Sequence, residues 1–318
     1  MSRRPAGVAL ISVLLIVAIL LAVVGRLMAN HGLTLNQNQN IFEQNQALQY
    51  ALGAETLARQ ALFEDFSAGG GEVDHLGEMW AQPVLPFELD EGGFLEAKVR
   101  DLNGCFNMNA VLAEGQQDSI ARMKRLLVNL DMPQTLAEAW KDWIDSDLEV
   151  TGFGAEDSEY LVAAVPHRTP NQLVSHVSEF AMLLNVDADM LEQILPHVCL
   201  LPDTNSQVNV NTANLHTLAS LDDAISASNL ENVADSPRAF TAVSEFVDLY
   251  PEFRPVSEAL SVNSQYFELH AFAQVGDSSV TLLSTLNRDP SSGEVTVLSR
   301  DFGRLFQSAV EMATEEAY

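Results

Sequence analysis

The chain has 318 residues, with 44 acidic against 16 basic side chains and a formal net charge of −28 at pH 7. This length indicates two or three compact units, and 47% hydrophobic residues suffice for buried cores. So acidic a chain repels phosphate backbones, which argues against nucleic-acid binding. It favours divalent cations or basic partners, unless the charge serves solubility alone.

The first element is an apolar segment, in which residues 8–24 contain a single polar side chain, Ser12. At about 1.5 Å per residue, the stretch to Met28 just spans a hydrocarbon core of about 30 Å. Arg3 and Arg4 precede it, which favours a cytoplasmic N-terminus. The core is long and no A-x-A-like site follows it, so we expect a retained anchor rather than a cleavable secretory signal.

Gly7 lies directly before this segment. Basic residues, a glycine and an uninterrupted apolar helix resemble the leader of type IV pilins and their relatives. That resemblance implies cleavage between Gly7 and Val8 and methylation of the new amino group; an ordinary anchor is the alternative. Most pilin-like subunits carry Glu at the fifth mature position, here Ser12. A subunit with nothing above it has no terminal ammonium to neutralise, whereas in an ordinary anchor Ser12 merely bonds to a helix carbonyl.

The apolar segment continues into a second helical stretch, residues 29–66, which "SAGGGE" at 67–72 ends. Charged and apolar side chains alternate along "GGFLEAKVRDLNG", which predicts a strand with one buried face. Three more strand-like runs follow near the C-terminus, separated by the turn residues "GDS" and "DPSSG": "QYFELHAFAQV", "SVTLLSTLNR" and "EVTVLSRDFG". A long helix with an antiparallel meander predicts an α+β subunit in which the helix packs on the sheet.

A mostly helical stretch, residues 107–262, lies between the first strand and the meander. It contains an imperfect repeat, "CFNMNAVL" and "QVNVNTANL", whose Asn and Thr side chains suit helix capping. The second copy resembles helix-hairpin-helix modules that bind DNA backbones. No basic cluster surrounds it, so we favour a structural module.

Seven acidic residues lie between Asp142 and Glu159, and the next basic residue is Arg168. Oxygen ligands at this density suit a hard cation such as Ca²⁺. Counted from Asp145, acids occupy positions 1, 3, 5 and 12 of an EF-hand loop, but Val150 replaces its obligatory glycine. A solvated acidic loop is the alternative to a calcium site.

Local catalytic motifs are absent from the sequence. The seven histidines show no HExxH spacing, and no GxSxG, Walker A or GxGxxG motif occurs. A Ser/His/Asp site built from distant residues leaves no local trace, so a membrane-anchored enzyme stays as an alternative.

Several segments together resemble one family. They occur in the order "GVALISVLLIVAIL", "DLNGCFNMNAV", "DWIDSD", "GAEDSEYL", "PNQLVSHVSEFAMLLNVD", "LPHVCLLPDTNSQVNVNTANLHTLASL" and "SQYFELHAFAQVG". In this order they resemble the K-type minor pseudopilins of type II secretion systems, over nearly the whole chain. That family also lacks Glu at the fifth mature position, in agreement with Ser12. A minor pilin of a true type IV pilus is the alternative.

The resemblance implies a pseudopilin fold with a large inserted all-helical domain. The implied division is a leader (1–7), a transmembrane part (8–28) and a periplasmic part (29–66) of the first helix, a first pseudopilin segment (67–106), the insert (107–262), and a C-terminal meander with tail (263–318). It also implies a non-enzymatic subunit at the tip of a periplasmic pseudopilus, anchored in the inner membrane. The implied partners are the minor pseudopilins I, J and H, the major pseudopilin G and the prepilin peptidase.

Two sets of site residues follow from the resemblance. Calcium binding by characterised family members implies Asp145, Asp147, Glu156 and Asp157 as ligands, with Glu149 and Glu159 as further donors. In an oxidising periplasm, Cys105 and Cys199 are free to form a disulfide, and two buried thiols are the alternative.

Overall fold

The computed structural model describes residues 6–82, 84–89, 92–113, 119–227, 230, 233 and 237–303. Most of the expected leader and the tail 304–318 therefore lie outside the described residues. The α-helices are α1 (Ala6–Ser67), α2 (Ser119–Asn129), α3 (Leu136–Ile144), α4 (Asp157–Tyr160), α5 (Ala188–Ile194), α6 (Leu215–Ala219) and α7 (Val243–Leu249). The strands are β1 (Val84–Glu88), β2 (Gly93–Asp101), β3 (Phe106–Asn107), β4 (Val198–Cys199), β5 (Val208–Asn209), β6 (Leu260–Ser261), β7 (Tyr266–Val275), β8 (Ser278–Arg288) and β9 (Val295–Asp301).

Helix α1 has two halves with different surroundings. The apolar side chains of its N-terminal half are exposed. This half is long and apolar enough to cross a membrane, with a mean hydropathy of 2.8 over 18 residues. Its C-terminal half packs on the sheet through a row of buried side chains spaced three and four apart: Ala47, Ala51, Ala54, Ala58 and Leu62. Four of the five are alanine, which allows the helix backbone to approach the sheet closely.

The sheet has five antiparallel strands in the order β1-β2-β7-β8-β9. The strands expected from alternation, β2 and β7 to β9, form its centre and one edge. β1 was not predicted. It contains Pro86 and lies at the opposite edge, where a residue without an N–H is tolerated. The turns after β7 and β8 place Gly276 and Gly293 at φ of 56° and 72°.

The two ends of the sheet meet different parts of α1. At one end, the turn between β7 and β8 lies against Glu43, whose Oε2 accepts from Asp277 N at 3.3 Å. At the other end, Arg288 of β8 pairs with Asp65 in the last turns of α1 at 3.4 Å. The chain leaves the sheet at this second end, because β2 ends at Asp101. The insert therefore projects from the end that lies farthest along α1 from the apolar segment.

The insert has two hydrophobic cores of its own. One surrounds Trp140 and Phe180, and the other surrounds Phe246 and Phe253. Its described helices are short, with Ser119–Asn129 the longest at 11 residues, and two-residue parallel pairs, β3 with β4 and β5 with β6, accompany them. The predicted α+β class, a long helix on an antiparallel sheet with an inserted helical domain, is confirmed.

Candidate functional site

The acidic loop begins where α3 ends. Asp145 is the C-cap of α3, and Glu156 is the N-cap of α4, eleven residues later. The fold brings Asp145, Asp147 and Glu156 together, so that one carboxylate oxygen from each lies within 4.8 Å of the other two. Three of the four residues implied as calcium ligands therefore share one site.

This group is short of hydrogen-bond donors and positive charge. Asp145 Oδ2 pairs with Lys141 Nζ at 2.8 Å, but its buried Oδ1 and both side-chain oxygens of Glu156 have no hydrogen-bond partner within the described ranges. Glu156 is 3% exposed, and burial, followed by the charges of Asp142 and Asp145, raises its pKa to about 7. Such orphaned oxygens fit a hard divalent cation, which binds oxygen ligands and would neutralise them.

The backbone of the loop is held close to the site by two glycines. Gly152 has a φ of 57°, and a Cβ there would lie 2.5 Å from Glu138 Oε2. A Cβ on Gly154 would lie 2.0 Å from Asp142 Oδ2. Asp142 in turn accepts from Thr151 N at 3.0 Å, and Glu138 accepts from Phe153 N at 2.7 Å. Carboxylates of α3 thus fix the path of the loop, and only glycine fits where it passes them.

The other acidic residues proposed for the site have different roles in the structure. Asp157 is directed away into an ion pair with Arg168 and also accepts from Thr169 N at 3.1 Å. Glu159 accepts from Glu156 N at 3.1 Å and so caps α4. Glu149 is exposed, and its N donates to Asp147. The structure therefore does not bring Asp157, Glu149 or Glu159 to the three-carboxylate group.

Cys105 and Cys199 form a disulfide at the base of the insert, with their Cα atoms 5.8 Å apart. The two cysteines are separated by 94 positions in the sequence. The bond therefore encloses the part of the insert that holds the acidic loop. Leu102, Leu201 and Tyr266 pack around it.

The two N-x-N elements have the same local structure. Asn107 Oδ1 accepts from Asn109 N at 3.1 Å, and Asn209 Oδ1 accepts from Asn211 N at 2.9 Å. Each first asparagine also lies in one of the short parallel strand pairs. The predicted capping is confirmed for asparagine, with Asn107 capping a 3₁₀ turn and Asn214 capping α6, whereas Thr212 Oγ1 donates to Asp101 Oδ2 instead.

Asn209 also belongs to a buried polar cluster where the insert meets the sheet. Its Nδ2 donates to Asp74 O at 3.1 Å, to Asp101 Oδ2 at 3.2 Å and to Ser264 Oγ at 2.8 Å. Burial raises the pKa of Asp101, while hydrogen bonds from Ser264 and Thr212 oppose the shift. The sequence did not predict this cluster. Its only local signal was the repeated asparagine, because its members come from four separate segments.

One serine, histidine and aspartate do lie in contact. Ser178 Oγ lies 2.6 Å from His176 Nδ1, and His176 Nε2 lies 3.0 Å from Asp301 Oδ2. The same Nδ1 also accepts from Ser178 N at 3.2 Å, as the cap of the 3₁₀ helix Val177–Met182. We therefore interpret this contact as a helix cap, since the nitrogen that a catalytic base needs is already engaged by the backbone.

Gly7 and Val8, the expected cleavage site, lie in the first turn of α1. Ser12 follows one turn later on the same helix. Cleavage between Gly7 and Val8 stays a prediction, because nothing in the geometry tests it.

The comparisons with known proteins agree with one another. A family model described as "Type II secretion system (T2SS), protein K" matches residues 104–203. Type II secretion system protein K of Pseudomonas aeruginosa is 35% identical, over 96% of this chain and 95% of that protein. The chain belongs to the type II secretion system protein K family. Another protein K, from Pectobacterium carotovorum, is 32% identical over 95% of this chain and 98% of its own length.

The family assignment extends to three dimensions. A chain in the crystal structure of the GspK-GspI-GspJ complex from enterotoxigenic Escherichia coli superposes with a TM-score of 0.74 at 29% identity. The superposition covers 84% of this chain and 99% of the chain in that complex. The prediction of a minor pseudopilin of the type II secretion system is confirmed.

Proposed function

We propose that this minor pseudopilin caps the tip of a periplasmic pseudopilus through contacts between subunits and not through catalysis. The observation that carries the proposal is the position of the insert. It projects from the end of the sheet next to Asp65, whereas the apolar half of α1 extends beyond Glu43 at the opposite end. A subunit stacked above this one would collide with the insert, so the chain fits the end of a filament and not its shaft.

The N-terminal region supports membrane insertion followed by processing. The apolar half of α1 would cross the inner membrane with its N-terminus in the cytoplasm, cleavage would follow Gly7, and Val8 would be methylated. The disulfide agrees with a periplasmic location for the rest of the chain, because such bonds persist in oxidising compartments. Cleavage would be carried out by the prepilin peptidase.

The structural relative suggests the immediate partners. Its chain comes from a complex titled with the I and J proteins of the same system. We propose that this chain assembles with its own I and J minor pseudopilins, and through them with H and with the major pseudopilin G. The exposed residues of α1 supply the surface for helix packing.

The acidic loop is proposed to bind calcium through Asp145, Asp147 and Glu156. When bound, the ion supplies the positive charge that the unpartnered oxygens lack and stabilises the loop. Lys141 would keep its contact with Asp145 Oδ2 while Oδ1 faces the ion. Asp157 is left out of this ligand set, because Arg168 neutralises it.

Two measurements test the proposed function. Gold-labelled antibody against the insert should decorate the ends of isolated pseudopili, and labelling along the shafts would contradict a cap. Mass spectrometry of the native N-terminus should show methylated Val8, and Gly7→Leu should block this maturation and reduce secretion. An intact N-terminus in a secreting strain would favour an ordinary anchored protein, including an enzyme.

A further inference from the structure

A second acidic group lies at the end of α1, on elements separate from the acidic loop. Asp65 is in the last turns of α1, and Asp74 and Glu78 lie on the segment that follows. One carboxylate oxygen from each lies within 4.8 Å of the other two. Their side chains are 19%, 0% and 14% exposed. Three carboxylates are thus brought together in a largely desolvated place.

The positive charge facing this group is smaller than its negative charge. Arg288 Nη2 lies 2.5 Å from Asp74 Oδ2 and Nη1 lies 3.4 Å from Asp65 Oδ2. Glu78 Oε2 accepts from Trp80 Nε1 at 2.7 Å, which is a neutral donor. In the part of the chain that the structure describes, one guanidinium therefore faces three carboxylates. His75, whose Nε2 lies 3.9 Å from Glu78 Oε1, adds charge only when protonated.

Asp74 supplies the observation that points to a ligand. Its Oδ2 accepts from Ser264 N and from Arg288, but its Oδ1 is buried and has no hydrogen-bond partner among the described residues. A buried acceptor left without a hydrogen bond destabilises the protein, and more so when it is charged.

We propose that Asp65, Asp74 and Glu78 form a second site for a hard divalent cation such as Ca²⁺. The donors are all carboxylate oxygens, which Ca²⁺ prefers over nitrogen or sulfur ligands. The site would join the end of α1 to the base of the insert, because Asp74 N donates to Val262 O at 2.8 Å. A bound ion would therefore stiffen the connection between the filament-forming helix and the insert.

The test is calcium binding by the full chain in detergent micelles, measured by titration calorimetry. The loop site is disabled by Glu156→Gln, so that remaining binding reports on the second site. This variant should bind about one Ca²⁺ per chain, and adding Asp65→Asn should weaken that binding about tenfold or more. Glu64→Gln is the matched control, since Glu64 is an exposed acid one position earlier on α1 and should leave binding unchanged.

A spectroscopic readout locates the ion. Tb³⁺ used as a calcium probe should be sensitised by Trp80, whose indole donates to Glu78, and Trp80→Phe should remove that emission in the Glu156→Gln background. Glu78→Gln is a second binding variant in case Asp65→Asn disturbs Arg288. If the Glu156→Gln chain remains folded by circular dichroism and binds no Ca²⁺, the second site is refuted. If Glu156→Gln instead leaves all binding intact and Asp65→Asn abolishes it, the loop proposal fails and this one stands.

Discussion

Glu55 of α1 and Arg300 of β9 form a two-point ion pair across the interface between helix and sheet. Arg300 Nε lies 2.7 Å from Glu55 Oε2, and its Nη2 lies 2.8 Å from Oε1. Ser284 Oγ donates to the same carboxylate at 2.7 Å. This pair fixes the rotation and position of α1 on the sheet, where the contacts are otherwise made by small alanine side chains.

Removing the arginine of this pair should destabilise the protein more than removing the charge of the glutamate. Arg300→Gln leaves the carboxylate of Glu55 buried with Ser284 as a donor, whereas Glu55→Gln removes the buried charge. We expect a larger fall in the denaturation midpoint for Arg300→Gln than for Glu55→Gln. The control is Arg254→Gln, which breaks an exposed pair with Asp248 and should cost less than about 1 kcal/mol. If all three substitutions lowered the midpoint equally, the contact between Glu55 and Arg300 would be no more important than an exposed ion pair.

The same pair gives a pH dependence. The hydrogen bond from Arg300 lowers the pKa of Glu55 below its ordinary 4.5. The stability from this group is therefore present above pH 4.5 and is lost as the pH falls through the lowered pKa. Acid melts should show that wild type loses more stability than Glu55→Gln below pH 4.5.

Glu156→Gln should have opposite effects with and without calcium. In chelator, the variant should be the more stable protein at pH 8, because it lacks a buried charge. Because the pKa of Glu156 is raised to about 7, its neutral carboxyl contributes to the stability of wild type below pH 4.5. This contribution is lost as the pH rises through 7. At 100 times Kd, calcium should stabilise wild type by about 2.7 kcal/mol, or about 5–10 °C in Tm.

The stabilisation by calcium should be smaller in Glu156→Gln than in wild type, because only the group of Asp65, Asp74 and Glu78 is left to bind the ion. Glu149→Gln provides the control, because Glu149 is an exposed acid of the same loop and should keep the wild-type response. Differential scanning fluorimetry with calcium and with chelator measures both effects. An equal calcium shift in Glu156→Gln and wild type would remove Glu156 from the ligand set.

Loss of the disulfide should destabilise the insert strongly. Replacing Cys105 and Cys199 together by serine releases a loop closed over 94 positions, which the chain-entropy model values at about 4–5 kcal/mol. Denaturant unfolding of wild type with and without reductant should show the same difference, and the double variant should not respond to reductant. Reductant-insensitive unfolding of wild type would mean that the two thiols are not bonded in solution.

The two N-x-N elements should differ in importance. Asn209→Ala removes donors from Asp101 and Ser264 inside the buried cluster, at about 1–3 kcal/mol for each group left unsatisfied. Asn107→Ala removes bonds with Asp203 O, Ser206 and Leu201 N, none of which involves a charged group, so we expect a smaller loss. Asn205→Ala, at an exposed position, is the control for both in denaturant melts. A larger loss for Asn107→Ala would show that the buried cluster is not the main support.

Periodicity predicted the parts of the fold whose structure is set locally. Residues of α1 and of β7 to β9 repeat at helical or strand spacing over many positions, and their turns contain Gly276 and Gly293. β1 contains Pro86 and pairs only at an edge, so its structure depends on β2 and not on its own sequence. The short helices of the insert are likewise fixed by tertiary contacts.

The candidate site could be predicted in composition but not in detail. The density of acids indicated where Asp145, Asp147 and Glu156 would gather. The assignment of Asp157 depended on Arg168, eleven positions later, and no spacing rule says which acid a distant arginine pairs with. The cluster of Asp74, Asp101, Asn209 and Ser264 was invisible for the same reason, since it joins segments far apart in sequence.

The insert enters and leaves between two strands that are hydrogen-bonded neighbours. Asp101 at the end of β2 is paired with Phe267 near the start of β7, so a tight hairpin turn could in principle replace everything between them. Mutations can therefore change the size or the surface residues of the insert without altering the register of the sheet. Besides these two strands, Asn209 of the insert bonds to Asp74 in the segment after α1 and to Asp101 of β2, so a displacement of α1 along its axis would carry the insert with it.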